Sequence, residues 1–230
     1  MFNLSEYMKN LTSELTRVFG DRLFYIGLQG SYARGEADES SDLDVMVVLD
    51  RLGAEDLCIY RNIVSKMEHY EKSCGFICGK EDLTHWCRGE ICQLVHETID
   101  YYGELKTLVP SYTDEDVKNY VQINAGNLYH EICHRYVHAS EEVSRAGLRR
   151  SFKAVFYILQ NYHYLISGVF LSTKAELLKC LEGIHLEILE LAQFLREHED
   201  YDISQAFSLL LLWCQEILRS VAGDEYAAAL

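Results

Sequence analysis

The sequence predicts an α/β (α+β) domain built on a small mixed sheet, followed by an all-α helical bundle. Three observations carry that reading. Short apolar runs at Leu23–Leu28, Leu43–Leu49 and Cys74–Cys78 alternate with longer stretches of helical period, the pattern of strands interleaved with helices. After the only proline, Pro110, the strand-like runs stop. Four long stretches of helical period follow instead, near 114–139, 141–168, 173–196 and 203–222, joined by short links as in an antiparallel bundle.

Taken in order, Asn3 can cap a first helix whose apolar residues Leu4, Tyr7, Leu11, Leu15 and Val18 share one face, and Gly20 ends it. Leu23–Leu28 is a strand and Gln29–Ser31 the turn after it. Tyr32–Ser41 is polar, contains Gly35, and reads as a loop. Leu43–Leu49 is the second strand. The pattern over Ala54–Lys72 predicts one helix, and Cys74–Cys78 a short third strand. A helix over about 81–96 and an extended Thr98–Tyr102 complete the first part. Thr113 with Asp116, and Thr173 with Glu176, have the spacing of capping boxes. The domain boundary falls at Pro110, giving residues 1–109 and 110–230.

Composition narrows the function classes. The 230 residues carry a formal net charge of −15 with no basic run, so long nucleic acid is a disfavoured partner. Ala154–Thr173 has no formal charge and is long enough to span a bilayer. Gln160, Asn161, His163 and the hydroxyls of Tyr157, Tyr162, Tyr164 and Ser167 make it too polar for lipid, so a buried bundle helix explains it and no membrane is expected. The eight cysteines lack zinc-ribbon spacing, and the first ten residues carry charge without an apolar core. A reducing, cytoplasmic setting is the expectation.

The chemistry concentrates in one segment, Gly30-Ser-Tyr-Ala-Arg-Gly-Glu-Ala-Asp-Glu-Ser-Ser-Asp-Leu-Asp44. Asp42 and Asp44 are two apart at a strand start, so both side chains project from one face. Paired carboxylates repel unless a cation lies between them, and Mg²⁺ takes one or two carboxylates together with substrate phosphates. Gly30 lets backbone approach a phosphate, and Ser31 adds a hydroxyl and an N–H in a turn. Arg34 is suited either to a phosphate or to an ion pair with Glu36 or Asp38.

Leu28-Gln29-Gly30-Ser31, ten intervening residues, then Asp42-Leu43-Asp44 among apolar neighbours resembles the signature of the DNA polymerase β-like nucleotidyltransferase superfamily. The inner stretch is most similar to the small bacterial members, the minimal nucleotidyltransferases and the aminoglycoside- and lincosamide-modifying enzymes. The resemblance implies a nucleotidyltransferase domain followed by a helical acceptor-binding or interaction domain, with the active site between them. It implies transfer of a nucleoside monophosphate from a nucleoside triphosphate to the hydroxyl of a small molecule, an aminoglycoside or lincosamide being candidates, with release of pyrophosphate. Asp42 and Asp44 would hold two Mg²⁺ ions, and Gly30, Ser31, Arg34 and Ser41 would bind the nucleotide. A protein-modifying, antitoxin-like enzyme and a catalytically impaired nucleotide or partner binder are the alternatives. The family usually supplies a third carboxylate from a neighbouring strand, yet Cys74–Cys78 contains none; Glu81, Asp82, Glu90 and Glu97 are the candidates.

A second motif competes. His130-Glu131-Ile132-Cys133-His134 matches the zinc-peptidase pattern HExxH, with His138 continuing the row. The third-ligand spacing of such enzymes is missing, since Ser140 stands where a histidine is wanted. A polar groove or solvated stripe on a bundle helix is the simpler reading. Glu131 is a candidate general base within a helical acceptor domain.

Overall fold

A computed structural model describes residues 2–198 and 200–223, and divides the chain into two compact units, Met1–Ser111 and Tyr112–Leu230. The first holds a four-stranded mixed sheet in the order β3-β2-β1-β4. Helix α1 (Leu4–Phe19) starts where Asn3 Oδ1 accepts the Glu6 N–H at 3.2 Å and ends at Gly20, burying Tyr7, Met8, Leu11, Leu15 and Phe19. Strands β1 (Leu23–Leu28) and β2 (Leu43–Leu49) have the bounds the apolar runs predict and pair antiparallel. Strand β3 (Ser73–Gly79) then runs parallel to β2 after the crossover through α3 (Ala54–Val64). Leu23, Ile26 and Leu28 with Leu43, Val45, Val47 and Leu49 form the sheet face that packs on α1 and on Ile63 and Val64 of α3.

Three expected elements of this unit differ from those observed. The turn after β1 is a short helix, α2 (Gly30–Arg34). The predicted helix over Ala54–Lys72 stops at Val64; Met67 reaches the core from a turn, and a 3-10 turn at Tyr70–Lys72 leads into β3. A helix through Lys72 would be about 28 Å long against about 23 Å for the seven-residue β3, so ending at Val64 lets turns bring the chain back to start β3 beside β2. The helix expected over 81–96 is two, α4 (Lys80–Thr84) and α5 (Arg88–Glu97), separated where Trp86 turns back onto Phe76. Strand β4 (Ile99–Tyr102) follows and pairs antiparallel with β1.

Gly75 holds β3 against its neighbour. Its φ is +106°, and a Cβ there would overlap the backbone of Val45. A side-chain-free residue is what allows the parallel pairing to run unbroken from Leu43/Ser73 to Leu49/Gly79.

The second unit is helical throughout its regular elements: α6 (Asp114–His138), α7 (Glu141–Ser167), α8 (Lys174–Cys180), α9 (Gly183–Glu197) and α10 (Ile203–Ala222). Both capping boxes form, with Asp116 accepting from the Thr113 N–H at 2.8 Å and Glu176 from the Thr173 N–H at 2.9 Å. The stretch 173–196 is not continuous. It breaks at Leu181-Glu182, where Leu177 and Leu181 enter the core and Gly183 takes φ +54° to restart the next helix. Trp213, Leu159, Leu189 and Ile217 are among the fully buried residues of this core. Among the described residues, no helix is long and apolar enough to cross a membrane.

Candidate active site

The site is built where β1 ends and β2 begins. The Gln29 N–H donates to the Asp44 carbonyl at 2.8 Å, so the two strand ends are locked side by side. Gly30 then turns the chain into α2 with φ +68°, and a Cβ on it would overlap Asp44 Oδ2. The Asp44 carboxylate therefore lies against a bare Cα, and glycine is required for the backbone angle and for the approach alike. Asp42 is exposed just before β2, and Asp44 is half-buried within it.

A row of side chains crosses the sheet at this level. Cys74 of β3 is the in-register neighbour of Asp44. Desolvation first, and then the hydrogen bond its thiol donates to Asp44, raise the Cys74 pKa. On the other side Gln29 Nε2 donates to Thr98 Oγ1 at 2.9 Å. The strand expected to carry a third acid thus presents a thiol at the matching place.

The four acids considered for that role go to different places. Glu81 is exposed on α4, where its carbonyl accepts from Thr84 Oγ1 at 2.7 Å. Asp82 caps α4, accepting the Gly79 N–H at 2.9 Å. Glu90 accepts the Trp86 indole N–H at 2.5 Å. Glu97 ends α5 immediately before Thr98; its side chain is 8% exposed, accepts from Gln93 Nε2 at 3.1 Å, and meets Arg34 Nη1 at 3.5 Å. Of the four, Glu97 is the one brought to α2. The fold-back that does this is the β1–β4 pairing, which joins Leu28 to Ile99. No local pattern before Pro110 encodes that pairing.

The remaining predicted residues are held as follows. Arg34 is 6% exposed and donates from Nε to Glu36 at 3.1 Å, the ion pair foreseen as one of its two roles, while also meeting Glu97. The Ser31 carbonyl accepts the Glu36 N–H at 2.9 Å, closing α2 with Gly35 in the left-handed region. Ser41 closes the turn before Asp42: its Oγ accepts the Asp38 N–H at 2.9 Å and donates to Asp38 Oδ1 at 3.2 Å. Lys72 Nζ donates to the Glu39 carbonyl at 2.6 Å and ties this loop to the entrance of β3.

Residues 15–85, from the end of α1 to α4, match the family model described as "Nucleotidyltransferase domain". The chain carries a nucleotidyltransferase domain. That domain, with the fold around it, supports a DNA polymerase β-like nucleotidyltransferase, a transferase enzyme. No curated protein matches the chain in sequence. Among solved structures, this nucleotidyltransferase is similar to spectinomycin adenyltransferase AAD(9) from Enterococcus faecialis, solved with ATP and spectinomycin. The likeness has a TM-score of 0.61 at 14% identity and covers 94% of this chain and 100% of that one. At that identity it is a likeness of fold, sheet and helical part together.

Among the described residues, no group of three or more His, Cys, Asp or Glu side chains is arranged to hold a metal ion. Asp42 and Asp44 nevertheless fit Mg²⁺, which needs only one or two protein carboxylates when substrate phosphates complete its shell. The HExxH segment is different. His130, His134 and His138 form an exposed row on α6 with ring centroids 6.0 and 4.8 Å apart. Glu131, though, is ion-paired with Arg135 and accepts from Ser151 Oγ of α7 at 3.3 Å. Arg135 in turn donates to Ser151 Oγ at 3.0 Å and lies against Gly147. Glu131 belongs to a clasp between α6 and α7.

Proposed function

We propose that this nucleotidyltransferase moves a nucleoside monophosphate from a nucleoside triphosphate to a hydroxyl of a small molecule, releasing pyrophosphate. The observation that carries the reading is the Asp44 carboxylate set against Gly30 at the start of α2, with Asp42 two residues before it in sequence. In this reading Asp42 and Asp44 hold Mg²⁺ on the triphosphate, and bound Mg²⁺ supplies charge neutralisation at the phosphorus undergoing attack. Gly30 and Ser31 hold the phosphates through backbone and hydroxyl donors. Arg34 neutralises phosphate charge, and Ser41 fixes the loop that presents Asp42.

Glu97 serves as the third carboxylate and takes the proton of the acceptor hydroxyl as its oxygen attacks the α-phosphorus in line. Cys74 then forms the floor beside Asp44 without entering the chemistry. The Tyr112–Leu230 unit recognises the acceptor, and spectinomycin, aminoglycosides and lincosamides are the first compounds to offer it, the solved relative having been crystallised with spectinomycin.

The test is incubation with Mg²⁺ and each of the four α-labelled nucleoside triphosphates against those compounds, following label on the acceptor and pyrophosphate in solution. Label transfer that disappears in Asp42→Asn supports the reading. Tight nucleotide binding with no transfer to any hydroxylated acceptor, small molecule or protein, would instead favour a binder without turnover.

A further inference from the structure

The sheet face opposite α1 buries Tyr25, Met46 and Val48, and at its β3 edge it carries a partly exposed aromatic pair beside the phosphate site. Phe76 and Trp86 stack with centroids 5.8 Å apart and planes 18° from parallel. Phe76 shares the face of Asp44. It is two residues along β3 from Cys74, whose thiol bonds Asp44, while the next residue, Ile77, packs into the α1-side core. In-register pairing of Phe76 with Met46 says the same, since Gln29 Nε2, itself opposite Asp44, approaches the Met46 sulfur at 3.8 Å. The pair is therefore displaced from Asp44 by one strand, about 4.8 Å, and by about 7 Å along it. A ribose spans a gap of that size between an α-phosphate and its base.

Trp86 remains 37% exposed although its indole lies on Phe76 and its N–H is held by Glu90 at 2.5 Å. The break between α4 and α5 is what brings it there. With one ring face covered and its edge already bonded, the indole offers a ligand its remaining π-face.

We infer that Trp86, backed by Phe76, is the platform on which the nucleobase of the bound nucleoside triphosphate stacks. The inference rests on the nucleotide-binding reading above and goes beyond it in assigning the base subsite. Because the indole N–H is committed to Glu90, this platform reads no base edge, and stacking alone tolerates every base. Purine and pyrimidine nucleotides all gain from it.

The experiment measures binding of ATP, GTP, CTP and UTP, each with Mg²⁺, and of inorganic tripolyphosphate to the full chain, to Trp86→Ala and to Trp86→Phe. The expected result is a loss of about 5- to 150-fold for every nucleotide in Trp86→Ala, the range for one base–aromatic stack, with tripolyphosphate unchanged. Trp86→Phe keeps most of the affinity, which a role through the Glu90 hydrogen bond would not allow. Unaltered nucleotide affinity in Trp86→Ala, or an equal loss for tripolyphosphate, overturns the platform and leaves the nucleotide reading standing. A wild-type chain that binds neither nucleotide nor tripolyphosphate refutes that reading and the platform with it.

Should Trp86→Ala fail to fold, acrylamide quenching of the wild-type chain decides. Trp213 is fully buried, so the quenchable emission belongs to Trp86. Nucleotides must shield it where tripolyphosphate does not; equal quenching with both overturns the proposal.

Discussion

The Arg34 guanidinium meets the Glu97 carboxylate at 3.5 Å, both side chains nearly buried, and so ties the helix after β1 to the last residue of α5. A glycine turn and a carboxylate from a distant part of the chain thereby share one cation. Arg34 also holds Glu36, and in the proposed reaction it serves a phosphate as well when substrate is present.

Glu97→Gln preserves shape and removes the proton acceptor. Turnover is expected to fall by about 10²- to 10⁴-fold, the usual share of a general base, while nucleotide affinity stays within a few-fold. Glu81→Gln is the control, since Glu81 is exposed on α4. Steady-state kinetics on a responsive acceptor would check this, and equal rates for Glu97→Gln and wild type would remove Glu97 from the chemistry.

Gly30→Ala tests the approach of Asp44. The φ of +68° alone costs a non-glycine residue about 1–2 kcal/mol, and the added methyl must displace the Asp44 carboxylate. The melting temperature should drop modestly and Mg²⁺-dependent nucleotide binding at least tenfold. A variant that melts lower yet binds nucleotide normally would show that the carboxylate need not sit there.

Trp213 in the helical unit donates its indole N–H to His185 Nδ1 at 3.1 Å, so that nitrogen must be unprotonated. Burial lowers the His185 pKa from 6.5, outweighing the opposite pull of Glu216. The folded value is the lower one, so this stabilisation is full above pH 6.5 and is lost as pH falls through the folded value. Thermal melts from about pH 7.5 to about pH 5 should show the midpoint decline, and His185→Gln should flatten that dependence. Parallel profiles for the two proteins would refute it.

Arg22 grips Asp56 with both terminal nitrogens, at 2.7 and 3.0 Å, while Asp56 also accepts the Gly53 N–H at the start of α3. The Arg22 bonds first, then the backbone bond, hold the Asp56 carboxyl at about 2, below its ordinary 3.8. Its contribution is therefore complete above pH 3.8 and disappears as pH falls toward about 2. Asp56→Asn should be less stable than wild type at neutral pH, with the difference narrowing across that window. Acid titrations followed by circular dichroism provide the measurement, and a constant difference down to pH 2 would contradict the pairing.

The legible parts of this chain were those encoded by near neighbours. Leu23–Leu28 and Leu43–Leu49 announced their strands because apolar residues fill both faces, and Thr113 and Thr173 announced their helices because a capping box needs only four residues. What sequence left open was decided by distant packing. The helix after Ala54 is cut short to meet β3, and the helix after Thr173 breaks so that Leu177 and Leu181 can enter one core. Glu97 could be only one of four because its place depends on β4 reaching β1.

Strand β4 is four residues long, exposed at every position, and pairs with a strand laid down some seventy residues earlier. Short edge strands with few buried contacts open most readily, and long-range pairings form late. Assembly of the site is thus staged: Asp42, Asp44 and Gly30 come together with the β1–β2 pair, and Glu97 joins only when β4 docks. Amide exchange should find β4 among the fastest strand segments and β2 the slowest. The fraction of molecules competent for chemistry then tracks how tightly one exposed edge is closed, so ligands that clamp β4 would raise activity without touching the carboxylates.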